Sequence, residues 1–186
     1  MHKNRLVIFV LVLLLLTGCG KKKEPTQKAL DFRTNLLQTE GCSFTAKIHA
    51  DYGEKFYDFT LEAVCSSEET KLTVIEPAVI EGISATVTKD GTKIEFDGAA
   101  LDFGKLANGH VSPVLVPWLL AQCWTAEYIS CAGADKDLYR VTYLRGYDDA
   151  QLSVDTWFNE ESIPVYAEIV YNDVRCITAD IEDFQT

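Results

Sequence analysis

The sequence predicts a mainly β, α+β fold: a strongly curved antiparallel sheet of about nine to eleven strands, left open as a half-barrel. One helix precedes the sheet and an apolar helix lies on its concave side. Three observations carry this expectation. Period-two alternation of apolar and polar residues dominates from Cys42 onward. Gly, Asn, Asp and Pro punctuate the chain between the alternating runs. One stretch, Pro113 to Trp124, is apolar almost all round, so it must be buried or covered. Strands this numerous with one polar face need their other face covered, and a twisted sheet around the apolar stretch satisfies both.

The elements follow in order. Lys3 and Arg5 precede an 11-residue apolar run, Leu6 to Leu16, which leads into Leu16-Thr17-Gly18-Cys19. Basic start, apolar run and small-residue cleavage site make a secretory signal over residues 1–18. The run is too short to span a bilayer permanently. The pattern Leu-Thr-Gly-Cys resembles the bacterial lipobox, which implies that Cys19 is joined to diacylglycerol and becomes the first mature residue. Lys21-Lys22-Lys23 lies beside it, in a tether over residues 19–25, where it would sit over anionic headgroups. Residues 26–186 then form a single domain. Removing residues 1–18 leaves 168 residues, and losing Lys3 and Arg5 takes the formal charge from −11 to −13. So acidic a chain repels nucleic acid.

Thr26 to Glu40 reads as a helix, with Ala29, Phe32 and Leu36 at helical spacing and Gly41 ending it. Cys42, Phe44, Ala46, Ile48 and Ala50 form the apolar face of a first strand. Tyr57, Phe59, Leu61, Ala63 and Cys65 form that of a second. A two-residue Gly53-Glu54 turn sets the register, pairing Phe44 with Ala63, Ile48 with Phe59 and Cys42 with Cys65. Leu72 to Glu76 is a third strand. Ile83 to Thr88 and Lys93 to Phe96 flank Asp90-Gly91, a hairpin that would pair Val87 with Ile94 and Ala85 with Phe96. Ala99 to Phe103 continues the meander. Ser112 can cap the apolar helix with Pro113 in its first turn, or Pro117 can start it one turn later. Tyr128 to Cys131 reads either as strand or as helix end. Asp137 to Leu144, Leu152 to Phe158, Pro164 to Tyr171 and Val174 to Ile181 are the closing strands.

The curled sheet, the central helix and the lipobox together resemble the LolA/LolB/LppX superfamily of envelope lipid and lipoprotein carriers. Trp157-Phe158-Asn159, Ile163-Pro164, Glu168-Ile169 and the final strand reaching Phe184 look like that family's last meander. Glu76-Pro77 with Ile80, Gly82-Ile83 and Ser112-Pro113 look most like the GerS-type germination lipoproteins of spore-forming bacteria.

Chemistry-bearing motifs are sparse. His49 sits on a polar strand face and His110 in a turn, both read as solvated. No P-loop, G-x-S-x-G, H-E-x-x-H or G-x-G-x-x-G occurs, so no enzyme class, metal or cofactor is expected. Asp135, Asp137, Asp148 and Asp149 cluster in turns without calcium-loop spacing. Export permits disulfides. Opposed strand residues lie within disulfide reach, so a Cys42–Cys65 bond is expected. Cys123 and Cys131 could pair, but nothing fixes their geometry, and Cys176 has no assigned partner.

Two functions follow as expectations. The first is a non-enzymatic, membrane-anchored envelope lipoprotein that docks another envelope protein through an open sheet edge or face; an exposed edge also allows a homodimer. The GerS-type resemblance implies a cell-wall amidase of the spore envelope as partner. The second is a carrier of a lipid or lipoprotein acyl chain. In either case Phe44, Ile48, Phe59, Leu61, Leu115, Trp118, Leu119 and Trp124 line the core or the cavity.

Overall fold

The computed structural model describes residues 24–186 except 40, 52, 89–90 and 96–110, with the backbone alone at 91–95. The signal, Cys19, most of the tether, the 99–103 strand and His110 lie outside the described residues. Helix α1 spans Pro25–Gln38. Strands β1 (Gly41–Asp51), β2 (Phe56–Ser66), β3 (Glu69–Glu76), β4 (Ser84–Thr88) and β5 (Gly91–Glu95) follow. Helix α2 (Val116–Thr125) comes next, entered through a 3₁₀ turn at Pro113–Leu115. Strands β6 (Tyr128–Asp135), β7 (Leu138–Arg145), β8 (Leu152–Phe158), β9 (Pro164–Tyr171) and β10 (Val174–Gln185) close the fold.

All ten strands form one antiparallel sheet in the order β5-β4-β3-β2-β1-β10-β9-β8-β7-β6. β1 and β10 meet at its centre, so the two ends of the domain are joined there. α2 packs on β2 and β3 on one side and on β7 on the other, although β3 and β7 stand six places apart in the sheet. The sheet therefore bends over the helix. It is an open, bent sheet rather than the strongly curled half-barrel expected, because α1 and α2 fill its inner face and hold the flanks apart.

The β1–β2 register agrees with hairpin parity. Phe44 opposes Ala63, Ile48 opposes Phe59 and Cys42 opposes Cys65. The inner face is buried at Phe44, Ile48, Phe59 and Leu61, but Tyr57, at the same parity, is exposed beside the turn. Gly41 opens β1 instead of ending α1. A Cβ there would lie 1.8 Å from the Cys65 carbonyl oxygen, so only glycine allows the strands to close at this point. The β4–β5 hairpin differs by two residues: Ala85 opposes Ile94 and Val87 opposes Thr92. A shift of two keeps every side chain on its face, so the hydrophobic pattern could not exclude it. Tyr128–Asp135 proves to be strand, and β10 runs on to Gln185.

α2 resolves the choice of helix start. The 3₁₀ turn begins at Pro113, the α-helix begins at Val116, and the Ser112 side chain makes no cap. Trp124, Leu120 and Val116 are fully buried and Leu119 nearly so. Trp118 is a correction: it is only partly buried, with the Arg145 guanidinium 4.9 Å from its ring centre. A helix wedged against a bent sheet still leaves one strip outward, and residue 118 falls on it. Leu115 is likewise partly buried.

Candidate functional site: an apolar rim

An up-and-down sheet places its turns alternately at two rims. One rim carries the β1–β2, β3–β4, β7–β8 and β9–β10 connections. The other carries the β2–β3, β6–β7 and β8–β9 connections. The two differ in chemistry.

The first rim exposes large apolar side chains. Phe56 and Tyr57 leave the β1–β2 turn exposed, and Ile75 and Val79 do so around the β3–β4 connection. Tyr147 tops the β7–β8 connection, and Val174 opens β10. Tyr128, at the start of β6, belongs to the same rim. Val79 is 84% exposed and Tyr147 86%. Their backbones are firmly held. Val79 lies in a 3₁₀ turn after the cis Glu76–Pro77 peptide, closed by Ile80 N–H donating to the Pro77 carbonyl at 3.0 Å. Gly82 N–H donates to the Val74 carbonyl at 2.9 Å. The 3₁₀ turn Asp148–Ala150 is closed by Ala150 N–H on the Tyr147 carbonyl, and Tyr171 Oη donates to the Asp149 carbonyl at 2.9 Å. The apolar tips are thus presented on ordered turns.

Two grooves flank these tips. A groove of about 740 Å³ on the outer face runs under the 77–81 segment and is lined by the carboxylates of Asp58, Glu76, Glu81 and Asp180 together with Lys47 and His49. His49 Nδ1 lies 2.7 Å from Asp58 Oδ1, and the Thr60 hydroxyl donates to Glu76 Oε2 at 2.8 Å. The His49 ring stacks on Phe56 at 5.2 Å between centres. His49 is therefore paired at the surface rather than simply solvated. A second groove, about 560 Å³, lies between Tyr128, Tyr147 and Glu127.

The described turns of the opposite rim are polar and close on themselves, although Leu37 and Val64 stand exposed beside them. Ser66 Oγ accepts from the Glu68 and Glu69 N–H groups. Asn159 Oδ1 accepts from Glu161 N–H at 3.0 Å and Ile163 N–H at 2.9 Å. Asp135 accepts from the Trp157 indole at 2.7 Å.

Between the rims the interior is filled. The Trp124 ring sits 5.2 Å from Phe44, 5.8 Å from Phe184 and 6.1 Å from Phe32, and its indole N–H donates to Thr156 Oγ1 at 3.1 Å. Arg33 reaches across from α1 and donates to the Trp124, Cys123 and Glu127 carbonyls at 2.7–2.9 Å, capping the end of α2. Sequence reasoning missed this cap; the only signal is a basic residue among polar positions of α1. Burial pushes the Cys123 thiol and the Tyr143 phenol far up, so both stay neutral. No group of three or more His, Cys, Asp or Glu gathers among the described residues.

Of the residues named from sequence, the structure brings Phe44, Ile48, Phe59, Leu61, Leu119 and Trp124 into one buried core, with Leu115 and Trp118 at its margin. Cys42 and Cys65 stand opposite each other but are free thiols, so the expected bond is not formed. The two sulfurs share one buried site, with Thr70 of β3 opposite Cys65 on its other side. Cys123, Cys131 and Cys176 are free as well.

No protein-family profile matches the chain, and no curated protein matches it. Solved structures do resemble it. The LolA superfamily protein NE2245 from Nitrosomonas europaea is 10% identical with a TM-score of 0.45, over 88% of this chain and 93% of that one. An uncharacterized conserved protein from Thermus thermophilus is 11% identical with a TM-score of 0.45, over 86% of each chain. A DUF1329 family protein from Desulfovibrio piger is 6% identical with a TM-score of 0.38, over 88% of this chain and 93% of that one.

Proposed function

We propose that this chain is a non-enzymatic lipoprotein of the bacterial envelope that docks another envelope protein through its apolar rim. The observation that carries the reading is the concentration of exposed Phe56, Val79, Tyr128, Tyr147 and Val174 on one rim, while the described turns of the other are polar and only Leu37 and Val64 stand exposed beside them. Exposed apolar side chains on ordered turns contribute little to folding, and they suit burial by a partner. The carboxylates around them favour a partner whose own apolar patch is ringed by Lys and Arg.

The anchor supports the same arrangement. Cys19 is the lipidation site in this reading. Only five residues separate it from α1, a reach of about 20 Å at most. The first turn of α1 packs at the polar rim, where Lys28 Nζ lies 3.5 Å from the Glu160 carbonyl. An 11-residue strand such as β1 separates the rims by about 35 Å. The polar rim then faces the bilayer and the apolar rim faces away from it. The dense packing around Trp124 supports docking over acyl-chain carriage. The Glu76-Pro77 and Ser112-Pro113 resemblance makes a cell-wall amidase of the spore envelope the first partner to test.

The test is affinity capture from the protein's own membranes with the native lipoprotein and a Val79→Asp/Tyr147→Asp variant. A protein retained by the first and lost by the second supports docking. Identical captures, or a co-extracted lipid retained by the native protein in the absence of any protein partner, would overturn it.

A further inference from the structure

The polar rim holds a pair of sulfurs that the docking reading does not use. Cys42, near the start of β1, opposes Cys65, near the end of β2. Thr70 of β3 opposes Cys65 on the other side and is itself buried. Both thiols are nearly covered from bulk solvent, yet a pocket of about 360 Å³ opens directly onto them. Leu36 and Leu37 from α1 and Gln122 and Thr125 from α2 form its far walls. The pair is thus reached through a pocket large enough for a small molecule.

We propose that Cys42 and Cys65 are a reactive dithiol that exchanges with a low-molecular-weight disulfide entering this pocket, Cys65 attacking first and Cys42 resolving. The chemistry balances within that pair of reactants. Cys65 gives its proton to solvent, and its thiolate attacks one sulfur of the incoming disulfide. A mixed disulfide forms, and the other half leaves as a thiolate. Cys42 then loses its proton and attacks Cys65 Sγ. The protein disulfide forms, and the second external thiolate leaves. Two protein thiols are oxidised by two electrons, and the external disulfide is reduced to two thiols.

The order follows from the surroundings. Buried Thr70 of β3 opposes Cys65, so Cys65 stands between the Cys42 and Thr70 side chains, which hold its thiol below the ordinary range against the opposing effect of burial. The facing Cys65 thiol, together with burial, pushes Cys42 up until Cys65 has reacted. No backbone rearrangement is needed to close the bond, since directly opposed strand residues already lie within disulfide reach. Cys123 is fully buried and does not compete. Cys131 is exposed and must be removed from the assay.

The experiment uses the detergent-extracted mature protein carrying Cys131→Ser, reduced and then exposed to glutathione disulfide, and read by mass and peptide mapping. The native pair should lose the mass of two hydrogens, and reduced glutathione should return it. A further Cys42→Ser substitution should trap glutathione on Cys65. The Cys65→Ser counterpart should trap it on Cys42 severalfold more slowly, because Thr70 of β3 opposes Cys65 and not Cys42. Thr70→Val, which keeps the shape and removes the hydroxyl, should slow trapping on Cys65 severalfold. Equal trapping at the two positions, or a pair that reacts only after the protein is unfolded, would overturn the proposal. So would a bond that glutathione neither forms nor reduces in the folded protein. None of these outcomes depends on the docking partner.

Discussion

The two rims of the sheet are both closed by short connections but carry different side chains. At the polar rim the turn chemistry and the exposed chemistry are the same residues: Ser66 and Asn159 close their own loops. At the apolar rim they separate. Asp51 accepts from Gly53 N–H, and Pro77 and Tyr147 supply carbonyls that close 3₁₀ turns, while Val79 and the Tyr147 ring project outward. A turn needs glycine, proline or a short polar side chain for backbone reasons. It does not need Val79 or the Tyr147 ring. The comparison therefore divides residues the fold requires from residues it merely tolerates, and the second set gathers on one rim.

Both rims depend on the core between them, and the largest expected effects lie there. Trp124→Ala should lower unfolding free energy by about 3–5 kcal/mol, because it empties the space among Phe32, Phe44 and Phe184 and strands the Thr156 hydroxyl. Trp118→Ala should be clearly milder, since that ring is only partly buried. Denaturant unfolding of the two variants checks the contrast, and equal costs would mean that the buried helix face is misassigned.

Next comes Arg33. Its guanidinium donates to three carbonyls at the end of α2, a set no other cation can match in geometry. Arg33→Met should cost about 2–3 kcal/mol, and Arg33→Lys should recover little of it. Hydrogen exchange at the last turn of α2 should quicken in both.

These cases show what the sequence could and could not reveal. The β1–β2 register was legible because one turn and strict alternation over-determine it. β8 and β9 were legible to the residue because Asn, Pro and Gly bound them. β6 was not, since an edge strand exposed on most positions carries no period. The β4–β5 register was not, since a two-residue slip preserves the faces. Trp118 and Trp124 share one apolar run, and a helix apolar all round hides which strip faces out. The rim escaped for a related reason. Periodicity records the faces of strands and helices; turns have none, so Val79 and Tyr147 look like any loop residues until their exposure is measured.

A smaller effect sharpens the comparison at the polar rim. Asn159→Ala removes the acceptor of two backbone N–H groups in the β8–β9 turn and should cost about 1 kcal/mol. Partner capture should be unchanged once the variant is folded. A lost partner here would place binding on the wrong rim.

The smallest effect on stability should accompany the largest on binding. Val79 and Tyr147 leave most of their surface in water, so Val79→Ser/Tyr147→Ser removes almost no buried area. Its unfolding free energy should stay within about 0.5 kcal/mol of the native protein, the range for surface substitutions that break no specific contact. Aromatic residues on ordered turns are the side chains most often dominant in interfaces, and losing one such anchor costs at least about 2 kcal/mol of binding. That corresponds to roughly 30-fold in affinity. The paired measurements are a denaturant melt and a titration with the captured partner. An unchanged melt with binding weakened about 30-fold or more separates the rims as argued. A lowered melt would make the apolar tips part of the fold, and unchanged binding would make them incidental.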